Sequence, residues 1–426
     1  MENLKPKVIF FAPILEYPPA GGPQMSVTNA VKALSEVSQL HIITTVPESR
    51  LGPEAQAFFK SKSHALVFAP SSTFNSNHPL GDRILRKVRR LISPLLALAD
   101  VRFTVEYARK YQIEIFWVDR VLEYTFYVFQ QLRRKEPRAY VIGDTCSVYS
   151  RFVLRELPLI KNPIRRWWVE QRGRKKIQEE KELTEFANVV TAVSELDAEY
   201  FRSIAPRPQT IKLFSNVVDL LDYKTHVPAP ASLQKPYVLL MGVFGHKNSP
   251  MDRAAKWLVE EIMPLVLSEV PDARLYIVGK NSDRTLAHYQ SPSVVVTGRV
   301  PSMLPYLQGA SATLVPLMYE SGTRFKILES GAAAIPCIST TLGAEGIRVT
   351  DKENIIIADN TVDFARAIVD IFKNPEAAKS LGQNLHTLVK DQYSIETQKR
   401  DADTVLQFLH GTGKSARDPG AEMNSP

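Results

Sequence analysis

The residues most able to do chemistry lie together in Ser321-Gly-Thr-Arg-Phe-Lys-Ile-Leu-Glu329. Ser321, Gly322 and Thr323 read as a small-residue turn that can present bare backbone N–H groups at a helix start. Arg324 and Lys326 place two cations in the first turn, the end of a helix where the macrodipole disfavours positive charge. A bound anion offsets that cost. Glu329 follows within two turns, and a carboxylate there can accept hydrogen bonds from the hydroxyls of a sugar. Anion and sugar together suggest a nucleotide-sugar site. The plainer reading is a helix with an exposed ion pair at Arg324, worth only ~0–1 kcal/mol.

Two further turns carry similar chemistry. Gly242-Val-Phe-Gly-His-Lys-Asn248 follows an apolar run, its glycines allow close backbone approach, and Lys247 can reach a phosphate. Gly298-Arg-Val-Pro301 can pair the backbone of Arg299 and Val300 with a nucleobase edge. Each is also readable as an ordinary tight turn. Towards the start of the chain, Pro18-Pro-Ala-Gly-Gly22 forms the first turn, and Asp119 and Asp144 each follow an apolar run. Asp144 is the favoured carboxylate, with a helix cap before Thr-Cys-Ser as the structural alternative.

Such turns need strands and helices to hold them. Val8–Ala12, Leu40–Thr45, Ala65–Phe68, Ile113–Val118, Ala139–Gly143 and Val189–Ala192 read as strands separated by helical stretches such as Ser26–Glu36. Val227-Pro-Ala-Pro-Ala-Ser-Leu-Gln-Lys-Pro236 has linker composition. The alternation then restarts: strands at Tyr237–Gly242, Arg274–Val278, Val294–Thr297, Ala312–Pro316 and Cys337–Ser339, helices at Asp252–Val270, Leu304–Gln308 and Arg324–Ala334. The fold class expected is α/β, two doubly wound Rossmann-like domains facing across a cleft. The boundaries expected are 1–226 for an acceptor domain, 227–236 for the linker and 237–390 for a donor domain. Residues 391–410 are expected as a helix returning to the first domain, and 411–426 as a disordered tail. Ligands of open α/β sheets sit at the carboxyl ends of the strands, where the informative turns lie.

Composition agrees with such a protein. A 426-residue chain exceeds one ordinary core, and its 44% apolar and 23% charged residues fit a globular chain rather than a disordered one. No run reaches the ~18 apolar residues of a membrane span. Cys146 and Cys337 read as buried thiols of a reducing compartment, so the expected location is cytoplasmic. No cysteine or histidine spacing matches a metal site. The net charge of +8 favours acidic partners.

Taken together, the turns at 242–248 and 298–301 and the segment 322–346 resemble the GT-B glycosyltransferases, and within them the retaining family 4 (group 1) enzymes. The likeness covers most of residues 237–350, with Pro271–Gly279 as a further landmark. It is looser in the first half, at Pro18–Gly22, Val193-Ser-Glu195 and Ser215-Asn-Val-Val-Asp219. It implies transfer of a sugar from a nucleoside diphosphate sugar to an acceptor hydroxyl, with retention, no metal and no cofactor beyond the donor substrate. It further implies cell-surface polysaccharide or glycolipid synthesis. Asp144, Lys247 and Arg324 are then the catalytic candidates. Gly21, Gly22, Gly245, Arg299, Val300, Ser321, Gly322, Thr323, Lys326 and Glu329 are the donor-binding ones, with Glu329 holding the ribose. Many relatives carry a second glutamate eight positions before the ribose glutamate. Here Ser321 stands there and Glu320 is one residue off, so either the turn shifts by one residue or the backbone of 321–323 holds the sugar.

Two basic stretches, 83–99 and 165–176, combine Arg and Lys with apolar or Trp residues and point to peripheral contact with an anionic membrane, at its inner face. An amphipathic core helix with a solvated face is the alternative. Nucleic acid is not an expected partner, because the charge is concentrated in two helices. A non-catalytic GT-B-like scaffold and a nucleotide-sugar epimerase are the competing functions.

Overall fold

The computed structural model describes residues 5–74, 81–228, 230, 233–245, 249–319 and 324–416, with side chains for all of these except 73–74, 81–94 and 412–416. The chain divides into two compact units. The first gathers residues up to Ser150, Arg174–Ser215 and those from Gln398 on. The second holds Arg151–Gly173 and Asn216–Thr397.

In the first unit, β1 (Lys7–Ala12), β2 (Gln39–Thr44), β3 (Ala65–Phe68), β4 (Ile115–Val118), β5 (Tyr140–Asp144), β6 (Val189–Ala192) and β7 (Ile211–Leu213) form one sheet. Its order is β3-β2-β1-β4-β5-β6-β7. Every pairing is parallel, as in Val8↔Ile115 and Ile142↔Val189. A parallel sheet needs cover on both faces, which is why its strands read as unbroken apolar runs. Along β1, Ile9 and Phe11 pack on one side with Ala97, Val101 and Phe129. Val8 and Phe10 pack on the other with Val27, Leu34 and Trp117. Burying each of these phenylalanines contributes ~1.5–3 kcal/mol. Ala402, Val405, Leu406 and Leu409, from the helix Ile395–Ala416, complete that second layer. This helix extends beyond the expected end at 410. Continuing a formed helix adds one hydrogen bond per residue fixed, which carries it on past the glycines Gly411 and Gly413 despite their low helix propensity. Residues 417–426 of the expected tail lie outside the described residues.

The second unit repeats the plan with β8 (Tyr237–Met241), β9 (Arg274–Val278), β10 (Val294–Gly298), β11 (Ala312–Val315), β12 (Cys337–Ser339) and β13 (Ile356–Ile357). The order is β10-β9-β8-β11-β12-β13, again parallel throughout. Tyr237, Leu239 and Met241 meet Tyr276, Val278 and Leu307 on one face. The direction of winding reverses between β8 and β11, which makes the crevice beyond their carboxyl ends the natural ligand position in this unit. The helix expected over Asp252–Val270 is instead Pro250–Trp257, a π-turn at Leu258–Ile262, and Met263–Glu269. Pro264 lacks an N–H and its ring clashes with the preceding turn, and the wider π-turn absorbs both effects.

The expectation of two doubly wound α/β domains therefore holds. The cysteines are free thiols, Cys337 buried in β12 and Cys146 half-buried after β5. Burial pushes the Cys337 thiol up to about 12. Among the described residues, no helix is long and apolar enough to cross a membrane.

Candidate functional site

In the second unit the turns that follow β8, β9 and β10 are stitched together. The Gly242 N–H donates to Val278 O (3.1 Å), the Phe244 N–H to Lys280 O (2.9 Å) and the Gly279 N–H to Gly298 O (2.9 Å). Gly279 has φ +141°. A Cβ there would lie 1.8 Å from Gly242 O, so no side chain fits between the two turns. Asn281, itself left-handed, donates from Nδ2 to Phe244 O at 3.1 Å and lies directly under Gly245. The Ser282 hydroxyl accepts from the Gly298 N–H at 3.0 Å. These contacts tie the bases of the three turns to one another.

Beside these turns stands the helix Phe325–Ala332, with Arg324 as its N-cap residue. It follows β11, across the reversal point from β8. Ile327, Leu328 and Ser330 are buried on its inner face, and the Ser330 hydroxyl meets that of Thr313 on β11 at 2.6 Å. The side chains left over are those the sequence singled out. Lys326 runs past the first turn: a Cβ on Gly242 would sit 3.2 Å from Lys326 Cε. Arg324 is 5% exposed. Glu329 accepts a hydrogen bond on Oε1 from the Tyr223 hydroxyl at 3.3 Å. Burial pushes the Glu329 carboxyl up to about 7, against the opposing pull of Lys326 and of that hydrogen bond. Burial also holds the Tyr223 phenol well above its ordinary value, with the Glu329 charge adding to the effect.

Sequence reasoning placed Gly245, Arg324, Lys326 and Glu329 in one site, and all four belong to this turn-and-helix cluster. Val300 is half-buried and packs on the core face of Tyr237 and Tyr276, while Arg299 is exposed beyond β10. Lys247, Ser321, Gly322 and Thr323 lie outside the described residues, as does Glu320. Tyr223 was not anticipated. It is 106 positions away from Glu329, and no local pattern marks it.

Gly21, Gly22 and Asp144 belong to the first unit. Gly21 is the N-cap position of the helix Gly22–Val37, so Gly22 opens that helix rather than lying in the loop before it. Asp144 is the last residue of β5 and 6% exposed. Its carboxylate caps no helix among the described residues: Oδ2 accepts from Trp117 Nε1 at 3.2 Å and Oδ1 from the Thr191 hydroxyl at 2.5 Å. Asp119, one strand over, is 3% exposed, and its Oδ2 lies 3.7 Å from Arg120 Nε. Arg120, at φ +51°, donates from Nη2 to Pro23 O at 3.0 Å. It thereby ties the first turn to the carboxylate pair. Burial raises both carboxyls, and the charge of Asp119 raises Asp144 further, while Arg120 pulls the two back down. Arg120 was missed in the sequence; the adjacent Asp-Arg pair at a strand end was its one visible signal.

The stretch 165–176 needs one correction. Lys176 is not part of an exposed basic face: it is 7% exposed, with Nζ 2.6 Å from Glu179. It lies on the inner side of its helix, where a lysine is retained by pairing. The side chains of residues 83–94 lie outside those described.

This arrangement of turns and helix has known counterparts. Residues 235–374 match the family model described as glycosyl transferases group 1. This stretch, about a third of the chain, is therefore similar to the group 1 glycosyltransferases. Sucrose-phosphate synthase from Thermosynechococcus elongatus superposes with a TM-score of 0.68 at 17% identity, covering 96% of this chain and 100% of that one. HepE of Anabaena in complex with UDP-glucose gives 0.63 at 12% identity, covering 95% and 99%. WaaG, a glycosyltransferase involved in lipopolysaccharide biosynthesis, gives 0.60 at 13%, covering 93% and 99%. These likenesses establish the GT-B fold. A 44.6 kDa protein of a cps region in Klebsiella pneumoniae is 23% identical over 146 residues, 32% of this chain and 38% of that protein.

Proposed function

We propose that the protein transfers a sugar from a nucleoside diphosphate sugar to a hydroxyl of a glycan or lipid-linked acceptor. The reaction retains anomeric configuration, needs no metal, and serves cell-surface polysaccharide or glycolipid synthesis in the cytoplasm, at the inner face of the membrane. The observation that carries this reading is the closed pair of turns at Gly242 and Gly279 with Lys326 and Glu329 on the helix beside them. The turns let a ligand approach bare backbone, the cations meet a diphosphate, and the carboxylate meets a ribose.

In the transfer, the bond from the anomeric carbon to the departing diphosphate oxygen breaks and a bond to the acceptor oxygen forms. The difficulty is the negative charge that builds on the diphosphate. Arg324, Lys326 and Lys247 stabilise that charge, together with the start of the helix Phe325–Ala332, where donors held in place cost no reorganisation at the moment of reaction. The departing phosphate oxygen takes the acceptor proton on the same face, so no separate carboxylate base is required. Asp144, fixed by Trp117 and Thr191, orients a sugar hydroxyl. The UDP-glucose bound by HepE, the lipopolysaccharide role of WaaG and the cps-region relative all support a nucleotide-sugar donor and a surface glycan product.

The test is a thermal-shift screen against UDP, GDP, ADP and their sugars, since a ligand that binds only the folded state raises the melting temperature. It is followed by transfer assays of Glu329→Ala and Lys247→Ala, with and without a metal chelator. Each variant is expected to lose transfer by orders of magnitude, and the chelator to change nothing. No shift with any nucleotide, or near-wild-type transfer by both variants, refutes the assignment.

A further inference from the structure

The segment 151–173 leaves a cluster of large apolar side chains uncovered. Leu159, Ile164, Trp167 and Trp168 are 37%, 69%, 51% and 63% exposed. The two indoles meet edge to face with ring centres 4.9 Å apart. Ile164, Trp167 and Trp168 stand at i, i+3 and i+4 of the helix Pro163–Phe186, hence on one face. Gly173 lies about half a turn away on the opposite face. A Cβ on Gly173 would sit 2.3 Å from Leu154 Cδ2, so this back face is closed against the short helix Tyr149–Leu154. That short helix leads to Arg155, whose Nη2 donates to Glu345 Oε1 at 2.7 Å. The back face therefore packs within the segment itself, and Arg155 ties the segment to the rest of the second unit.

The exposed face has a consistent charge. Lys161, Arg166 and Arg172 are exposed around the apolar residues, while Arg165 is offset by Glu156 at 2.6 Å. Indoles flanked by Lys and Arg suit the boundary between lipid headgroups and acyl chains, where the ring is half apolar and the cations meet anionic lipid.

We propose that Ile164, Trp167 and Trp168 dock the protein on an anionic lipid bilayer, with Lys161, Arg166 and Arg172 contacting the headgroups. This inference stands on the exposed surface alone and does not depend on the sugar-transfer reading. The experiment sediments the full chain with vesicles of phosphatidylcholine, with and without phosphatidylglycerol. Binding is expected with the anionic vesicles, weakened by salt and absent in W167S/W168S. Each of Lys161→Gln, Arg166→Gln and Arg172→Gln should weaken it about fivefold. Trp117 and Trp257 are buried, so quenching of tryptophan emission by brominated lipid reports on the exposed pair in the unaltered protein. If W167S/W168S melts early, the three cation variants and the quenching decide. Sedimentation without anionic lipid dependence, no sedimentation at all, or unchanged binding by the variants overturns the proposal. So does a dimer in solution that W167S/W168S dissociates while vesicles bind neither form.

Discussion

Replacing Glu329 by Gln tests the ribose contact with the least disturbance to shape. The amide keeps an acceptor for the Tyr223 hydroxyl, now 3.3 Å from Oε1, so the neighbouring donor is not orphaned. It removes the charge that makes a carboxylate a strong partner for two ribose hydroxyls. Hydrogen bonds to a charged acceptor contribute ~1.5–3 kcal/mol each and a neutral one roughly 1 kcal/mol, so a net loss of ~1–4 kcal/mol over the two bonds is expected. That is about 5- to 1000-fold in nucleotide affinity. The pH dependence sharpens the test. Because the carboxyl is pushed up to about 7 by burial, the wild-type protein must spend free energy to ionise it below that pH. Affinity should fall about tenfold per unit as pH drops below 7, leaving roughly 1% of sites ionised at about pH 5. The stability effect has the opposite sign. With the folded value raised above the unfolded one, this group's contribution is fully present below the unfolded value of 4.5 and is lost as pH rises through about 7. Titration calorimetry of wild type and Glu329→Gln with the nucleotide from the screen reads both effects. Wild-type affinity that is flat between about pH 5 and 8, or a glutamine variant of equal affinity, refutes the reasoning.

Three other outcomes follow from the geometry. Gly279→Ala must move its new Cβ away from Gly242 O, 1.8 Å off, at a φ that L residues avoid; about 1–3 kcal/mol of destabilisation in denaturant melts is expected, with the nucleotide shift lost. Asp144→Asn retains the size that fits between Trp117 and Thr191, so donor affinity should hold while kcat falls ~100-fold, as misorientation of a reacting group typically costs. Equal rates would remove Asp144 from the machinery. Burial favours a neutral Glu345, yet Arg155, helped by Arg151 and Arg324, holds its carboxyl below the ordinary value. The pair therefore contributes stability above the unfolded value, lost as pH falls through the folded one. Arg155→Ala should cost on the order of 1 kcal/mol near neutral pH and progressively less in acid, read by melts across pH.

The fold was legible where one physical rule acts alone. Unbroken apolar runs such as Val8–Ala12 and Tyr237–Met241, too short for helices and bounded by turn residues, read as strands covered on both faces, and their alternation with helices points to the winding. The strands Ile211–Leu213 and Ile356–Ile357 escaped notice because they are too short to show any period. The helix bearing Arg324, Lys326 and Glu329 was readable because its spacing is local. Its partner Tyr223 was not, because a contact across 106 positions leaves no trace in either segment. Lys176 shows the limit of composition: an exposed and a paired, buried lysine look alike in the sequence, and only the side of the helix on which each falls separates them.

The position of the helix Ile395–Ala416 also bears on how the protein is made. Ala402, Val405, Leu406 and Leu409 fill the layer against Phe10 and Trp117, residues that leave the ribosome early. Everything in the second unit has been synthesised by Thr397. A growing chain can therefore finish its later-made unit first, while the unit begun at the first strand waits with part of one face of its sheet uncovered. A pause before residue 398 would leave the apolar residues that the last helix covers open to whatever chaperones or aggregates are at hand.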